Sequence, residues 1–263
     1  MSEMFAENIQ AVQSSQEGAR DEAVKILSSG QGTHKERLSL AVALGNAGDP
    51  RISTPDDSSY WREVDLGYEK ILVARFPVTM KEWKEFVNGS AYQDDSNWSE
   101  EGLVWRDKDR PSWQELAKSP AVVALVVDNH PVVGVSWFEA QAYANAFGAR
   151  LPDFDERIAI IRGLEKRVYP WGSPFGHGNC NTKEEALGQT CAVGMFVHDQ
   201  TPDGICDLVG NVAEWTAEDF EGKAVIHPGS WSKDMMSSWP KASQRLSTAA
   251  RLDNLGFRLV KDL

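Results

Sequence analysis

The sequence predicts an α+β protein that is rich in coil and carries a helical extension at its N-terminus. Helical spacing of apolar residues dominates residues 1–46 and returns later only in short segments. A run rich in Ile, Val and Phe, Tyr68–Val78, predicts a strand. Most of the 21 Gly and 12 Pro lie in the C-terminal two thirds, which indicates irregular chain rather than a helical bundle.

Two apolar stripes at helical spacing, within residues 23–27 and 38–44, predict the helices of the extension. A Ser/Gly turn at 28–32 separates them, and residues 45–50 stop the second helix. Such a pair is compatible with the last helices of a repeat array or with an extension packed on the main domain. The predicted division is an extension with its connector over residues 1–60 and a main domain over residues 65–263.

The main domain opens with a strand, a capped helix and a long polar loop. Residues 51–64 are predicted as a polar connector before the strand Tyr68–Val78. Thr79 is a plausible N-cap for a helix over Met80–Val87, whose large apolar side chains share one face. Residues 88–118 are polar and rich in Trp with no clear period, which predicts an ordered loop.

Further helices follow before regular patterning fades. Ser136 is a second N-cap, and Gly148 ends the helix that Ser136 begins. Another helix is predicted over Arg150–Gly163. Beyond it, Gly and Pro pairs predict turns and coil, whose backbone polar groups need partners other than strand ladders. Bound cations are one such partner.

Charge, cysteine content and hydropathy argue against nucleic-acid binding, a disulfide-stabilised fold and a membrane-spanning protein. The net charge of −12 disfavours nucleic acid and anionic membranes as partners. Three cysteines without CxxC spacing indicate buried thiols rather than a disulfide framework. The first residues lack a basic start followed by an apolar segment, and no apolar stretch is long enough to span a bilayer. The default expectation is a cytoplasmic protein.

Five sequence blocks carry a family resemblance. In chain order they are His130–Trp137, Tyr169–Gly172, Gly204–Trp215, Pro228–Trp231 and Gly256–Arg258. As an ordered set over roughly residues 65–263 they resemble the formylglycine-generating enzyme family, also called sulfatase-modifying factor domains. The resemblance implies a C-type-lectin-like fold. It is much less specific for the reaction than for the fold.

A calcium site is predicted in the block Gly204–Trp215. After a strand-like pair, Leu208 and Val209, two carboxylates flank a turn whose backbone carbonyls can point the same way. Ca²⁺ favours this mixture of ligands, and the resemblance implies calcium at the matching positions. The alternative is that the glutamate only caps the loop or forms a salt bridge within it. The predicted ligands are Asp207, Gly210, Val212 and Glu214.

A second calcium site follows from the resemblance alone. Asn181 and the carbonyl of Thr182 match family ligands. This segment is shorter than in the family, which leaves the position of the acidic ligand open, and Glu184 is the candidate for it. An ordinary Asx turn explains the same residues equally well.

The oxidases of the family use two cysteines to bind copper and the substrate thiol. Counted from Pro228–Trp231, those positions fall on Lys233 and Ser238, and no cysteine follows Cys206. A thiolate is the ligand that Cu(I) selects. Met235 and Met236 are thioethers, but adjacent strand residues face opposite ways, so one of them is expected to pack inward. Copper-dependent formylglycine formation is therefore not expected.

Iron chemistry is not expected either. Related sulfoxide synthases hold iron through histidines of a separate helical domain. The five histidines of this chain are scattered without HxxxH spacing, and one histidine in the helical part cannot make a three-ligand site. They are His34, His130, His177, His198 and His227.

Candidate ligand contacts lie in the irregular segment Lys233–Asp253. Trp239 is the predicted ligand-facing aromatic, whereas Trp231 is predicted as core. Arg258 is predicted to be structural, and Arg245 and Arg251 are undecided. The predicted ligand-binding residues are Trp239, Lys233, Asp234, Met236, Ser238 and Arg245.

Three functions remain open. The first is a binding module without the redox centre, including the variable proteins of diversity-generating retroelements, which diversify this same C-terminal segment. The second is a metal-dependent oxidase or oxygenase with an altered active site, although the sequence shows no set of nucleophile, base and orienting residue that would identify its reaction. The third is an accessory domain of a larger signalling or defence assembly, with the N-terminal helices as the docking element. The partner in each case is a protein or small molecule that the sequence does not identify.

Overall fold

The computed structural model describes residues 1–108, 112–119 and 125–263, which form an α+β fold with long stretches of coil. Helices occupy the N-terminal part, and most strands lie near the C-terminus. In chain order the elements are α1 (Glu3–Gln13), α2 (Ala19–Ser29), α3 (His34–Ala47), β1 (Trp61–Asp65), β2 (Lys70–Ala74), α4 (Met80–Asn88), α5 (Glu100–Arg106), α6 (Trp113–Leu116), α7 (Trp137–Ala146), α8 (Phe154–Arg162), β3 (Ala213–Phe220), β4 (Lys223–His227), β5 (Gln244–Ser247), β6 (Leu255–Gly256) and β7 (Val260–Asp262).

The N-terminal helices α1–α3 pack on each other and on the main domain. Phe5, Leu27 and Leu44, one from each helix, are fully buried. Met195 and Phe196, from the coil of the main domain, belong to the same apolar cluster. This arrangement agrees with the interpretation of an extension packed on the main domain. Three helices form where the two apolar stripes indicated two, because α1 ends at Gln13 before the turn that starts α2.

Two small sheets frame the main domain. The first is antiparallel in the order β1-β2-β7, and Val73 of β2 lies opposite Val260 of β7. The second has the order β5-β4-β3-β6, in which β3 and β6 run parallel. Both sheets therefore include a C-terminal strand, β7 in the first and β6 in the second. Arg258, between these two strands, donates to the carbonyl of Cys206, so the coil between α8 and β3 lies beside the C-terminal strands.

The main core lies between α4, α7 and the second sheet. Trp83 of α4 and Trp215 of β3 are fully buried there. The Trp83 ring lies 6.0 Å from that of Tyr143 on α7 and 6.1 Å from that of Phe257. Such tilted and edge-on aromatic contacts stabilise a core beyond the area that they bury.

Strand β1 was missed by the sequence analysis, which assigned residues 51–64 to a connector. Only Val64 of β1 is buried, so the strand shows no period of two. Its strand geometry comes from antiparallel pairing with β2 across the turn at 66–69. The predicted strand Tyr68–Val78 is correspondingly shorter, and β2 covers only Lys70–Ala74.

Three other expectations need correction. The predicted loop 88–118 contains the short helices α5 and α6, which begin at the N-caps Ser99 and Ser112. Helix α8 begins at Phe154 rather than near Arg150, because Asp153 caps it. Leu208 and Val209 do not form a strand, since strand β3 begins only at Ala213. Among the described residues, no helix is both long enough and apolar enough to cross a membrane.

Candidate functional site

The turn that precedes β3 is held by a buried carboxylate. Asp199 accepts hydrogen bonds from the backbone amides of Leu208 at 3.2 Å, Val209 at 3.1 Å and Gly210 at 3.2 Å. Burial raises the pKa of Asp199 to about 6, although these amides oppose the shift. Sequence reasoning did not single out Asp199, because it lies in coil outside the recognised blocks.

Glu214 forms a buried ion-pair triad with two arginines. Its carboxylate oxygens accept from Nε of Arg157 at 3.0 Å and from Arg258, whose Nη2 is 2.7 Å away. All three side chains are at most 1% exposed. Burial alone would raise the pKa of Glu214, but Arg258 and then Arg157 outweigh it and hold that pKa below its usual value. Glu214 is therefore charged in the folded protein.

The two arginines also bind the turn itself. Arg157 Nη2 donates to the carbonyl of Leu208 at 2.7 Å. Arg258 Nη2 donates to the carbonyls of Cys206 and Asp207 at 2.8 and 3.0 Å. The predicted structural role of Arg258 agrees with these contacts. Arg157 was missed, because it stands beside Asp155 and Glu156 before the apolar run of helix α8, where a charged residue attracts no notice.

The first predicted calcium set, Asp207, Gly210, Val212 and Glu214, does not fit a calcium ion in this arrangement. Both oxygens of Glu214 already accept from guanidinium groups, so a cation there would face two positive charges. Oδ2 of Asp207 accepts from the amide of Gly194, and the carbonyl of Gly210 accepts from the amide of Val212. These contacts support the alternative in which Glu214 forms a salt bridge.

The second predicted set, Asn181, Thr182 and Glu184, is divided between two environments. Asn181 and Thr182 are buried, and Nδ2 of Asn181 donates to the carbonyl of Gln189 at 3.0 Å. Glu184 is exposed, and its Oε1 accepts from the amide of Met235 at 3.0 Å. Glu184 is engaged with Met235, but Oδ1 of Asn181 is buried and has no hydrogen-bond partner, so calcium at this set stays a prediction. No group of three or more His, Cys, Asp or Glu side chains is placed to hold a metal within residues 1–108, 112–119 and 125–263.

The positions that match the family's two cysteines differ in exposure. Lys233 is exposed, whereas Ser238 is fully buried and its hydroxyl donates to the carbonyl of Asp234. Met235 and Met236 are 41% and 73% exposed, so neither packs inward as expected for one of them. They lie in coil rather than a strand, and the strand rule of alternating faces does not apply.

The cysteines and histidines are spread through the fold. Burial raises the pKa of the thiols of Cys180, Cys191 and Cys206, which keeps them in the unreactive neutral form. Burial also lowers the pKa of His130, to about 3. Nδ1 of His34 lies 2.9 Å from Oε2 of Glu185, and this contact joins α3 to the main domain.

Trp239 belongs to an aromatic cluster with Tyr169, Trp171 and Phe175. Tyr169 stacks on Trp171 with ring centroids 4.9 Å apart, and the Trp239 ring meets Tyr169 edge-on at 5.8 Å. Tyr169 is buried, whereas Trp239 is 45% exposed. Nε2 of His227 also lies 3.1 Å from the carbonyl of Trp239. Tyr169 and Trp171 stand in a block that the sequence analysis recognised, whereas Phe175 lies outside it and was missed.

The backbone on one side of Trp239 is clamped to a neighbouring turn. The amide of Lys183 donates to the carbonyl of Lys233 at 2.9 Å, and the amide of Met235 donates to Glu184. These contacts hold residues 233–235 against residues 183–184, and Trp239 follows in the next turn of the chain. We call residues 233–239 together with the aromatic cluster the Trp239 surface.

Only part of the predicted ligand-binding set belongs to this surface. Lys233, Asp234 and Met236 are exposed on it with Trp239. Ser238 lies beneath it, and its burial removes it from contact with a ligand. Arg245 lies on β5 with its guanidinium over the ring of Phe220, 5.4 Å from the centroid.

The remaining aromatic and basic candidates have other roles. Trp231, predicted as core, is only partly buried, and its amide donates to the carbonyl of Asn211. Arg251, which the sequence left undecided, binds the buried carboxylate of Glu139 and covers the ring of Trp105. Both residues therefore support the loops around the site rather than the Trp239 surface.

Comparison with known proteins finds one family both by a family model and by a related protein. Residues 47–263 match the sulfatase-modifying factor enzyme 1-like domain. The inactive C-alpha-formylglycine-generating enzyme 2 of Bos taurus is 30% identical over 228 residues, which is 70% of this chain and 74% of that protein.

Two solved structures share the fold. PvdO from Pseudomonas aeruginosa aligns with a TM-score of 0.54 and 18% identity, over 74% of this chain and 81% of that one. Variable protein 1 of Treponema denticola aligns with a TM-score of 0.53 and 15% identity, over 77% of this chain and 91% of that one. The expected fold, that of formylglycine-generating enzymes and their lectin-like relatives, is thereby confirmed.

Proposed function

Because this chain belongs to the family of sulfatase-modifying factor enzyme 1-like domains, we propose that it is a binding module of that family. In this proposal the module does not oxidise thiols, and it contacts a protein partner through the Trp239 surface. The observation that carries the proposal is the exposure of Trp239, 45%, on top of a buried aromatic base. Tryptophan is enriched among the residues that dominate binding energy at protein interfaces.

The surroundings of Trp239 support a contact surface. Met235 and Met236 are exposed beside it, and methionine side chains adapt to partners of different shape. The backbone beneath is fixed by the contacts of Lys183 and Glu184. A rigid base reduces the conformational entropy that is lost on binding. The expected partner is a protein segment that places an apolar side chain against Trp239.

The absence of thiol oxidation rests on Lys233 and Ser238. A lysine and a buried serine supply neither the thiolate for Cu(I) nor the nucleophile for disulfide exchange. The test incubates the copper-treated protein with a cysteine-containing sulfatase-type peptide under oxygen. We expect no aldehyde product by mass spectrometry. An aldehyde that accumulates with turnover would favour an oxidase with an altered active site instead.

The contact surface is tested by selecting peptides from a displayed random library on the wild-type protein. Peptides that bind the Trp239 surface should lose at least tenfold in affinity for Trp239→Ala and keep their affinity for Arg245→Ala. Trp239→Ala should remain folded, with a loss of unfolding free energy well below the roughly 3–5 kcal/mol of a core tryptophan. If Trp239→Ala unfolds, or if all selected peptides bind both variants equally, the proposal is wrong.

A further inference from the structure

A groove of about 390 Å³ lies where the N-terminal extension meets the main domain. Ser28 at the end of α2 lines one side, and Arg51 of the connector lines another. Arg75 and Phe76, which follow β2, and the coil at 194–206 complete it. We call this feature the junction groove. Ligand sites occur preferentially at such junctions between structural units.

Arg75 is the main charged group of the junction groove. Its guanidinium lies over the ring of Phe76, with Cζ 4.7 Å from the centroid. Its Nε is buried and has no hydrogen-bond partner. Within the residues that the structure describes, Arg75 takes part in no salt bridge. A buried donor on a charged group that lacks a partner is unfavourable, so a ligand that accepts from it would be stabilised.

Arg51 adds a second guanidinium to the junction groove. Its Nε and Nη2 form a forked contact with the carboxylate of Asp49, at distances of 2.6–3.2 Å. That contact leaves Nη1, which lies 3.8 Å from the position that a Cβ on Gly194 would occupy at the groove wall. Arg51 therefore retains donors on the groove side although its charge is balanced.

The junction groove lacks a negative charge of its own. No carboxylate is among its lining residues in the described part of the chain. The thiol of Cys206 also lines it, but burial and Asp207 raise the pKa of that thiol to about 12, so it is neutral near pH 7. Asp207 lies behind Gly194, whose amide it binds. In a chain of net charge −12, Arg75 therefore gives this groove a positive charge that no lining carboxylate balances.

We propose that the junction groove binds a small organic oxyanion, with Arg75 as the principal ligand-binding residue. A guanidinium fork matches the geometry of carboxylate and phosphate oxygens. The remaining wall is partly apolar, with Phe76, Val197 and Pro202, which suits an organic body next to the anionic group. The volume is in the range of small-molecule pockets. This site shares no residue with the Trp239 surface.

The experiment measures binding of inorganic phosphate and of benzoate by isothermal titration calorimetry at constant ionic strength. We expect at least one probe to bind the wild-type protein, and Arg75→Met to weaken it at least tenfold. Arg245→Met removes an exposed arginine elsewhere and should bind like the wild type. Binding of phosphate alone or of benzoate alone identifies the oxyanion. Binding of neither probe, or equal binding by Arg75→Met, overturns the proposal.

A second variant separates a lost site from a misfolded protein. Ser28 is exposed at the end of α2, so Ser28→Trp should fold normally while its side chain fills the mouth of the junction groove. We expect circular dichroism and melting temperature close to the wild type, together with loss of probe binding. Unchanged probe binding by a folded Ser28→Trp would place the anion elsewhere and contradict the proposal.

Discussion

At the scale of single residues, Glu214 determines how the coil before β3 is held. Its two arginine partners also bind the carbonyls of residues 206–208. The carboxylate of Glu214 thus orients both arginine side chains, and the arginines in turn hold the turn. Charges buried this deeply are stable only while they are paired, and the loss of one partner typically costs about 3–5 kcal/mol. The triad thus supplies partners for the carbonyls of residues 206–208, whereas the predicted calcium site used those of Gly210 and Val212.

The first prediction follows from this triad. Arg258→Met should lower the free energy of unfolding by about 3–5 kcal/mol, because it leaves Glu214 with a single partner. If the triad holds this turn without a cation, addition of a calcium chelator to the wild type should leave the melting temperature unchanged. Urea denaturation and thermal melts check both expectations, with exposed Arg245→Met as the control. A melting temperature that falls with chelator would favour the predicted calcium sites.

His130 gives a prediction on pH. Its pKa is 6.5 when the chain is unfolded and is lowered by burial to about 3 in the folded protein. Between these values the unfolded chain binds a proton that the folded protein does not, so this residue makes stability fall as the pH falls. The contribution is fully present above pH 6.5 and should drop by about 2 kcal/mol between pH 6.5 and 4.5.

The variant His130→Gln tests that effect. It removes the titrating group while keeping a side chain that can reach Thr190, the present partner of Nδ1 at 3.0 Å. Denaturant titrations at pH 7.5, 6.5, 5.5 and 4.5 should show a smaller loss of stability in the variant than in the wild type. Parallel curves for the two proteins would contradict the assigned pKa.

At the scale of elements, the capped helices were readable from the sequence and the irregular elements were not. Thr79 and Ser136 each precede a glutamate by three residues, and both form the capping box that this spacing indicates. Strand β1 exists through its pairing with β2, and helices α5 and α6 are too short to show a period. The sequence pattern therefore predicts a helix or strand only where interactions between residues close in the chain, such as a capping box, determine that element.

The same limit applies to the candidate site. Glu214 and Arg258 stand in recognised blocks, yet Arg157, 57 residues before Glu214, carries no mark of its pairing in the sequence. Trp239 was selected as the exposed aromatic, but its support by Tyr169 depends on a contact across 70 residues of chain. Residue type was therefore predictable, whereas the partner of each residue was set by the folded chain.

The helix α7 provides the prediction at this scale. Its N-cap Ser136 is fully buried, and its hydroxyl and amide both contact Oε2 of Glu139. Ser136→Ala should lower the free energy of unfolding by about 1–2 kcal/mol, the upper part of the range for lost caps. Ser39→Ala, on the exposed side of α3, is the matched control and should change stability by less than about 0.5 kcal/mol. Equal effects of the two substitutions would contradict the capping role.

At the scale of the whole molecule, the extension and the main domain share one apolar cluster. Phe196 of the main domain is fully buried in it. Its ring meets that of His34 on α3 at 4.6 Å and lies beneath the guanidinium of Arg37 at 5.8 Å. Arg37 Nη1 also donates to the carbonyl of Met195 at 3.2 Å. Nδ2 of Asn129 in the main domain also donates to the carbonyl of Ala41 on α3 at 3.0 Å. The extension is therefore fastened to the domain by packing, by these hydrogen bonds and by the His34–Glu185 contact.

Phe196→Ala tests this attachment. The substitution should cost about 3–5 kcal/mol, and most of the loss should appear as loosening of α1–α3 from the domain. Limited proteolysis should then cut near the connector, around residues 48–58, faster than in the wild type. Phe220→Ala removes a ring that is 65% exposed and should leave the cleavage rate unchanged. An intact connector in a destabilised Phe196→Ala would mean that the extension is held by other contacts.

The pairing of β2 with β7 has a consequence for synthesis on the ribosome. Arg258, just before β7, donates to the carbonyl of Ala74 from 184 residues away, and β7 completes the first sheet. At roughly 5–20 residues per second, translation separates these partners by about 10–40 s. During that time β2 presents an open edge, which is the state that nascent-chain chaperones and aggregation compete for. The synthesis of β7 therefore sets how long the edge of β2 stays unpaired and open to aggregation.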